Sequence, residues 1–330
     1  MNKLFFALTV VSIILSGCGE SSSGGGNAGS GGSAGSGGQA GAGGEGGAAG
    51  SGPKCTTPQA MLRCDKVLNI AHGGGLLIRP THTIEAYDQA LEDGADMLEL
   101  DVHQTLDGVI VVMHDATLDD TTSCSGTIKE MTFAEIRECD AGYHFTTDGG
   151  ATYPYRGMGL VVPSLEEVLE RYPDTAVNIE VKQQEPSLID DLVDLIRQYE
   201  FEDKMVGASF STEVLAELRD AAPEIATSLS EDESLEFWTK SWLPIDPGYV
   251  PPGEFLQLPV QYNLGGSGPI PVLHDGFVPR VEELDMYVHI WTVNDEQEMR
   301  WLIEVKGVHG IMTDDPPLLT RVINELEAGD

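Results

Sequence analysis

The chain has 330 residues and a formal net charge of −36, with 54 acidic against 18 basic side chains. This excess of acid argues against nucleic acid and anionic lipid headgroups as electrostatic partners, because both are themselves negatively charged. Hydrophobic residues make up 41% of the chain, which is enough for the core of a sizeable globular domain.

The N-terminus, residues 1–18, has the layout of a secretory signal. A lysine precedes an apolar run that Leu-Ser-Gly-Cys ends at Cys18, and the run is shorter than the roughly 20 apolar residues that span a bilayer. Small residues before a cysteine are similar to a bacterial lipoprotein cleavage site, which predicts a lipid anchor on Cys18. The alternative is an ordinary signal peptide with an incidental cysteine. Because Gly19 follows in place of an aspartate, we expect an outer-membrane anchor facing the periplasm or the exterior.

Residues 19–53 are almost entirely Gly, Ser and Ala, a composition that cannot form a core. We expect a flexible linker with a root-mean-square reach of about 30–35 Å. It serves either to hold a catalytic domain off a membrane or to display it on a surface. The folded domain is therefore predicted over residues 54–330, a usual length for a (βα)-barrel.

Four cysteines remain after Cys18, and an even number in an exported chain predicts disulfides. Three pairings are possible, and we favour the local pairs Cys55–Cys64 and Cys124–Cys139. A zinc site is the weaker alternative, because the sequence contains no Cys-x-x-Cys pair.

Short apolar runs of strand type alternate with helical patterns along the folded part. The predicted strands are 67–72, 97–102, 109–114, 176–181, 205–210, 225–229, 255–260, 287–293 and 308–312, and the predicted helices are 83–93, 164–172, 187–199, 211–221, 295–304 and 316–328. This α/β alternation predicts a (βα)8 TIM barrel as a single catalytic domain. Nine runs exceed the eight of a barrel, and the turn at 104–108 is too short for a parallel crossover. One run therefore lies outside the barrel or is joined irregularly.

Two further segments are predicted as long loops, residues 141–162 and 231–254. Long loops on a barrel are commonly functional. The second loop carries Trp238 and Trp242, which either bind an acyl chain or pack the segment onto the barrel.

Three carboxylates follow or occupy predicted strands. Glu99 and Asp101 are two residues apart and share one face of a strand, and Glu180 ends another strand. Three converging carboxylates repel one another unless a cation neutralises them, and ligands that are all oxygen favour Ca²⁺ or Mg²⁺. The alternative is pairing with Arg or Lys, which the small number of basic residues weakens.

Two histidines end strands near these carboxylates. Because an unperturbed imidazole ionises near neutral pH, His72 and His114 can divide general acid and general base work. Lys182 lies on the same strand face as Glu180 and can hold an anion. Two histidines, a lysine and a divalent cation predict cleavage of a small-molecule phosphodiester.

The order of motifs is similar to that of the glycerophosphodiester phosphodiesterase family. The shared residues are His72, Glu99-Leu100-Asp101-Val102, Thr105-Leu106-Asp107-Gly108, His114-Asp115, Pro163-Ser164-Leu165, Glu180-Val181-Lys182, Ser209-Phe210, Trp291-Thr292-Val293-Asn294 and Gly310-Ile311-Met312-Thr313-Asp314-Asp315-Pro316. The resemblance covers nearly the whole folded part. It implies a (βα)8 barrel that hydrolyses glycerophosphodiesters to an alcohol and glycerol 3-phosphate.

The resemblance also implies residue roles. Glu99, Asp101 and Glu180 match metal ligands, and His72 and His114 match an acid–base pair. Lys182 matches a phosphate contact and Trp291 a residue near the substrate. One histidine then deprotonates the attacking hydroxyl group, and the other protonates the leaving alcohol.

The sequence departs from the family at three places. Gly73 stands where the family has the arginine of His-Arg-Gly, Thr81 and His82 interrupt Pro-Glu-Asn-Thr, and Asp120 replaces a common arginine. The lost arginine implies a weaker phosphate contact, for which Arg79 and His82 are candidate substitutes. The departures bear on substrate identity more than on the chemistry. The leading interpretation is a metal-dependent glycerophosphodiesterase; the alternatives are a lysophospholipid-cleaving phospholipase D and a surface binding lipoprotein that has lost catalysis.

Overall fold

The computed structural model describes residues 57–64, 66–246, 248–263 and 269–329. Its strands are β1 (Leu68–Ala71), β2 (Met97–Gln104), β3 (Ile110–Val112), β4 (Ala176–Val181), β5 (Met205–Ala208), β6 (Ala226–Thr227), β7 (Phe255–Pro259), β8 (Gln261–Asn263), β9 (Pro269–Pro271), β10 (Tyr287–Trp291) and β11 (Gly310–Thr313). The nine predicted strands are all present, and β8 and β9 form an additional two-stranded hairpin.

Eight of these strands form a parallel sheet that is nearly closed into a barrel. Their order is β6-β5-β4-β2-β1-β11-β10-β7. An isolated parallel bridge between Ser228 and Phe255 joins the two ends of the sheet, next to β6 and in β7. The predicted (βα)8 TIM barrel is therefore confirmed.

The additional predicted strand is β3, and its pairing accounts for the turn at 104–108, which is too short for a parallel crossover. It pairs antiparallel with the end of β2, so β2 and β3 form a hairpin on the rim of the barrel. The turn closes with a hydrogen bond from Thr105 N to Val109 O, and Gly108 has a positive φ of 84°. This run lies off the barrel path, as one of the two expected arrangements.

The helices are α1 (Pro58–Leu62), α2 (Ile84–Glu92), α3 (Phe133–Ile136), α4 (Leu165–Arg171), α5 (Ile189–Gln198), α6 (Thr212–Ala221), α7 (Glu231–Lys240), α8 (Phe277–Glu282), α9 (Glu296–Trp301) and α10 (Pro316–Gly329). The six predicted helices are present. Ser164 and Glu167 form the reciprocal hydrogen bonds of a capping box at the start of α4. No helix in the described ranges is both long and apolar enough to cross a bilayer.

One predicted loop contains a helix. The first part of residues 231–254 forms α7, which a second capping box starts, with Ser230 bonded to the Glu233 backbone and the Glu233 side chain bonded back. The expectation of an irregular segment was wrong there, because most residues of α7 are polar and hide its short apolar face. Residues 141–162 contain no helix or strand, as expected.

One disulfide joins two cysteines that both lie within the described residues. Cys124 and Cys139 are bonded, with their Cα atoms 5.5 Å apart, so this predicted pair is confirmed. Cys55, like Cys18 and the whole of residues 1–53, lies outside the described residues, and the pair Cys55–Cys64 stays a prediction.

Two apolar layers hold the barrel together. The inward layer fills the lower part of the barrel with Leu68, Ile70, Met97, Ala176, Val206, Ala226, Phe255 and Met312. The outward faces of the strands pack against the helices in two large clusters, one along β1 to β5 and the other along β7, β10 and β11. Because the inward layer fills the bottom, polar side chains gather where the strands end at the top.

Candidate active site

Three carboxylates stand side by side on two neighbouring strands. Asp101 in β2 is in register with Glu180 in β4, and Glu99 lies two residues before Asp101 on the same face. Glu99 and Asp101 are almost completely buried. Glu180 and Glu99 line one cavity with His72 and His114. The structure thus brings together the carboxylates that the sequence selected.

A fourth residue, His82, completes this acidic cluster. The ligand atoms of His82, Glu99 and Asp101 lie within 4.8 Å of one another, a spacing that could hold a metal ion. His82 Nε2 is 2.9 Å from Asp101 Oδ2, and its Nδ1 is 2.8 Å from Thr81 Oγ1. The sequence named His82 only as a substitute for the missing arginine. Its burial against Asp101 makes it a partner of the carboxylates.

Burial and mutual repulsion determine how these groups titrate. Burial, followed by the charge of Asp101, raises the pKa of Glu99 to about 8. Burial also raises the pKa of Glu180, although Lys182 opposes this. Burial alone would raise the pKa of Asp101 too, but His82 and Lys182 lower it. Two of the three carboxyl groups, Glu99 and Glu180, therefore resist ionisation, and a bound cation would stabilise their charged forms.

A carboxylate from the C-terminal part of the sequence, Asp314, holds His72 in place. Its Nδ1 is 2.6 Å from Asp314 Oδ1, and Asn294 Nδ2 donates to Asp314 Oδ2 over 2.7 Å. Burial would lower the pKa of His72, but the hydrogen bond to Asp314 and the charges of Glu99 and Asp314 outweigh it and raise the pKa to about 9. Because Nδ1 is engaged, Nε2 is the nitrogen left for a substrate.

His114 stands at the mouth of the cavity, just after β3. Its side chain is 53% exposed, and its Nδ1 is 2.8 Å from Asp115 Oδ1. The backbone oxygen of His114 is 3.2 Å from Nε2 of His103, which lies on the same face of β2 as Asp101. The β2–β3 hairpin therefore brings the second histidine to the carboxylate cluster.

Lys182 lies between two of the carboxylates. Its Nζ is 3.1 Å from Asp101 Oδ1 and 2.9 Å from Glu180 Oε1. Burial would lower the pKa of Lys182, but the two carboxylates raise it. The centroid of the Phe210 ring lies 5.8 Å from the same Nζ, and this ring packs in a T-shaped arrangement with the ring of Trp291, which lines the cavity.

The departure at Gly73 is matched by its neighbours. Gly73 has a φ of 52°, and its N donates to Glu99 Oε2 over 2.8 Å. A Cβ at this position would lie 2.2 Å from Thr81 Oγ1. Arg79 does not replace the missing guanidinium, because its side chain binds Ile78 O and Gln89 Oε1.

Asp120, at the third departure, is exposed and does not line the cavity. The residues that sequence reasoning did not assign to the site are Asp314, Asn294 and His103. Asp314 and Asn294 belong to motifs that the sequence shares with the family, and this membership is the sequence feature that could have assigned them to the site.

Comparison with known proteins agrees with this geometry. Residues 72–318 match the Glycerophosphoryl diester phosphodiesterase family. The glycerophosphodiester phosphodiesterase of Caldanaerobacter subterraneus subsp. tengcongensis is 32% identical over 267 residues, which cover 79% of this chain and 99% of that protein. The enzyme of the same name from Bacillus subtilis is 31% identical over 276 residues, covering 79% and 88%.

A solved structure extends the agreement to the fold. The glycerophosphodiester phosphodiesterase from Agrobacterium tumefaciens aligns with a TM-score of 0.63 at 25% identity, over 78% of this chain and 99% of that one. The match of the family over most of the barrel, together with relatives above 30% identity, establishes that this chain belongs to the glycerophosphoryl diester phosphodiesterase family.

Proposed function

We propose that the chain is a metal-dependent enzyme that hydrolyses glycerophosphodiesters to an alcohol and glycerol 3-phosphate. The observation that carries the proposal is the grouping of His72, His114 and the acidic cluster around one cavity at the carboxyl ends of the strands. These groups come from β2, from β4 and from the segments that follow β1 and β3, so proximity along the chain does not explain their meeting.

The residues of the acidic cluster fit a divalent cation. Glu99, Asp101 and Glu180 would hold it through oxygen atoms, which Ca²⁺ and Mg²⁺ prefer. The raised pKa of Glu99 is the supporting observation, because burial and then the charge of Asp101 disfavour its ionised form, and a cation beside it would offset both effects. When bound, the cation supplies Lewis-acid stabilisation of the charge on the phosphoryl oxygens.

The two histidines divide the proton transfers in this proposal. One takes a proton from the water molecule that attacks phosphorus, and the other gives a proton to the oxygen of the leaving alcohol as its bond to phosphorus breaks. In His72 and in His114 the Nδ1 atom is held by an aspartate, so Nε2 is the reacting nitrogen in each. Their aspartate partners keep both rings in a fixed orientation.

Phosphate recognition falls to Lys182. Among the described residues that line the cavity, Lys182 is the only lysine or arginine. Its ammonium group already lies beside the carboxylates, and a substrate phosphate would give it an additional partner. We therefore expect Lys182 to carry the role of the family arginine that Gly73 lacks.

The test is hydrolysis of glycerophosphocholine and glycerophosphoethanolamine by the purified full-length chain. We expect turnover with Ca²⁺ or Mg²⁺, its loss in EDTA, and its recovery when the cation is returned. His114→Ala should lose at least a hundredfold in kcat, since general acid–base catalysis contributes typically 10²–10⁴-fold. The fold should survive, because the His114 side chain is half exposed.

His144→Ala is the matched control, because His144 is an exposed histidine outside the cavity. It should retain the wild-type rate. Absence of turnover from folded protein loaded with metal would reject the enzyme and favour the surface binding lipoprotein.

A further inference from the structure

Two of the places where the sequence departs from the family meet at one point of the structure. Gly73 stands where the family has an arginine, and Thr81 and His82 stand where it has a glutamate and an asparagine. The backbone N–H of His82 donates to Gly73 O over 2.9 Å, so the segment that carries His82 folds back onto the segment after β1. The changed residues are therefore neighbours in space and form one local arrangement.

The absence of a side chain at residue 73 makes room for the His82 ring. A Cβ on Gly73 would lie 2.2 Å from Thr81 Oγ1 and 2.9 Å from His82 Cε1, closer than Cβ atoms in proteins approach other heavy atoms. His82 itself has a positive φ of 58°, which is uncommon for a residue other than glycine. An arginine at residue 73 is thus incompatible with this position of the ring, and the loss of the arginine and the gain of His82 belong together.

Thr81 determines which nitrogen of His82 carries the proton. Thr81 Oγ1 donates to Gly73 O over 3.2 Å and lies 2.8 Å from His82 Nδ1. Because the hydroxyl group has a single hydrogen and a backbone oxygen can only accept, Nδ1 is the donor to Thr81. The Nε2 atom of His82 then presents a lone pair to the carboxylates.

This lone pair has no partner among the described residues. His82 Nε2 lies 2.9 Å from Asp101 Oδ2, but the two atoms are not aligned for a hydrogen bond. Both side chains are more than nine-tenths buried, and neither of these two atoms has a hydrogen-bond partner in the described part of the chain. Two buried acceptors this close together repel each other unless a cation binds both.

The atoms around this point form a mixed set of ligands. His82, Glu99 and Asp101 have ligand atoms within 4.8 Å of one another. Glu180 does not belong to this closely spaced group, and Lys182 Nζ lies 2.9 Å from its Oε1. Glu99 lines the cavity, so a cation can reach the group from there. The group therefore offers one imidazole nitrogen together with two carboxylates.

We propose that His82 Nε2 is a metal ligand in this protein, and that the site consequently binds Zn²⁺ in preference to Ca²⁺ or Mg²⁺. Imidazole nitrogen suits Zn²⁺, whereas Ca²⁺ and Mg²⁺ are bound through oxygen. Thr81 is then the outer partner that orients the ligand, because a metal-bound histidine holds its other nitrogen in a hydrogen bond. This inference deepens the proposed function, on which it rests for the presence of a cation.

The test measures metal affinity and does not depend on turnover. The purified full-length chain is freed of metal with a chelator. It is then titrated with Zn²⁺ in competition with a chromophoric chelator, and with Mg²⁺ and Ca²⁺ in a calorimeter. We expect the wild-type protein to bind Zn²⁺ at least about a hundredfold more tightly than Mg²⁺ or Ca²⁺.

His82→Asn restores the residue of the family and removes the imidazole. It should weaken Zn²⁺ binding by about a hundredfold and change Mg²⁺ binding by less than about threefold, because the carboxylates remain. His144→Asn is the matched control, since His144 is an exposed histidine outside the cavity. It should keep the wild-type affinity for both cations.

Thr81→Val tests the outer partner and is the second variant if His82→Asn does not fold. It removes the hydroxyl group that accepts from Nδ1, and it should weaken Zn²⁺ binding by about tenfold. Thr81→Ser keeps the hydroxyl group and should keep the wild-type affinity. A Thr81→Val protein with the affinity of the wild type would contradict the positioning role of Thr81.

X-ray absorption at the zinc edge identifies the ligand itself. Wild-type protein with one equivalent of Zn²⁺ should show an imidazole nitrogen at about 2.0 Å from the metal. The His82→Asn protein with the same zinc content should lack this signal. An imidazole signal that persists in His82→Asn would assign the ligand to another histidine and overturn the proposal.

The outcomes separate this inference from the proposed function. Equal Zn²⁺ affinity of wild type and His82→Asn, or tighter binding of Ca²⁺ or Mg²⁺ than of Zn²⁺ by the wild type, overturns the proposal and leaves the hydrolase intact. Tight Zn²⁺ binding through His82 without turnover of any glycerophosphodiester rejects the proposed function and leaves the ligand assignment standing.

Discussion

Asp314 shows how one side chain far along the sequence prepares His72 for proton transfer. Its two carboxylate oxygens are both engaged, one with His72 Nδ1 and the other with Asn294 Nδ2. Asn294 Oδ1 in turn accepts hydrogen bonds from Thr313 Oγ1 and Asp314 N. The carboxylate is therefore fixed before any substrate arrives, and it both orients the imidazole and favours its protonated form.

Asp314→Asn removes the charge and keeps the shape. We expect kcat to fall by about ten- to hundredfold, because a hydrogen bond to a charged group contributes about 1.5–3 kcal/mol. Since Asp314 raises the pKa of His72, the limb of the pH–rate profile that belongs to His72 should move to lower pH. Initial rates over a range of pH check this.

The neighbouring carboxylate supplies the control. Asp315→Asn changes a residue that caps the start of α10 through Leu318 N, and it should keep the wild-type pH profile. An unshifted profile in Asp314→Asn would contradict the positioning role.

His289 illustrates a residue whose importance is for stability rather than for chemistry. It is completely buried inside the barrel, its ring centroid 5.1 Å from that of Phe255, and it is held against the Gly310 backbone. Burial, with a smaller contribution from His309, lowers the pKa of His289 to about 3. The folded state therefore requires the neutral imidazole.

Acid should destabilise the barrel through this histidine. The unfolded chain binds a proton at His289 below its ordinary pKa of about 6.5, so unfolding free energy is lost as pH falls from 6.5 toward 3. The loss is about 2 kcal/mol at pH 5. We expect His289→Leu to flatten the dependence in urea unfolding curves recorded from pH 7 to pH 5. Parallel curves for variant and wild type would contradict this role.

At the scale of single residues, sequence reasoning found the groups that carry charge into the cavity. Glu99, Asp101 and Glu180 were recognisable because carboxylates inside buried strands are costly without a purpose. The role of His82 was not recognisable, because the sequence does not show that Thr81 and His82 fold back over Gly73. That contact depends on the φ of 52° at Gly73.

At the scale of elements, the β2–β3 hairpin is the irregular part of the barrel. Strand periodicity predicted β3 correctly, and the length of the turn showed that it could not be an ordinary barrel strand. Which run lay outside remained open, because periodicity carries no information about the direction of pairing. Helix α7 was missed for a related reason: its apolar face is only two residues wide on the cavity side.

The disulfide Cys124–Cys139 closes the segment that follows this hairpin. Its two cysteines are 15 residues apart in sequence, and α3 lies between them. Replacing both by alanine should lower the free energy of unfolding by about 3 kcal/mol, because an open loop of this length gains that entropy in the unfolded chain. When both proteins are unfolded in urea with reductant present, the variant and the wild type should have the same midpoint. Equal stability of the oxidised wild type and the variant would contradict the prediction.

At the scale of the whole molecule, the net charge of −36 makes the approach of the protein to an anionic membrane electrostatically unfavourable. We propose that covalent lipidation of Cys18 overcomes this repulsion and that residues 19–53 separate the barrel from the membrane surface. The signal, the linker and the barrel domain over residues 54–330 would then act as anchor, spacer and catalyst, with an outer-membrane location.

Fractionation of cells tests this arrangement. In Cys18→Ser the protein should leave the membrane fraction and lose incorporation of labelled palmitate, because the thiol is the acceptor of the lipid. Ser21→Ala, a change in the linker, should behave like the wild type. A Cys18→Ser protein that stays in the membrane fraction would exclude the lipid anchor.

The two sides of the cavity also come from different stretches of the chain. The histidines, carboxylates and lysine that line the cavity lie in residues 72–182, and most of its apolar lining lies in the later stretch 235–291. Asp314, which positions His72, follows both stretches. A chimera that exchanges only the later stretch between relatives should therefore inherit its choice of ester from one parent and its cleavage machinery from the other. Mutations in the later stretch can therefore change which substrates bind without altering the histidines and carboxylates.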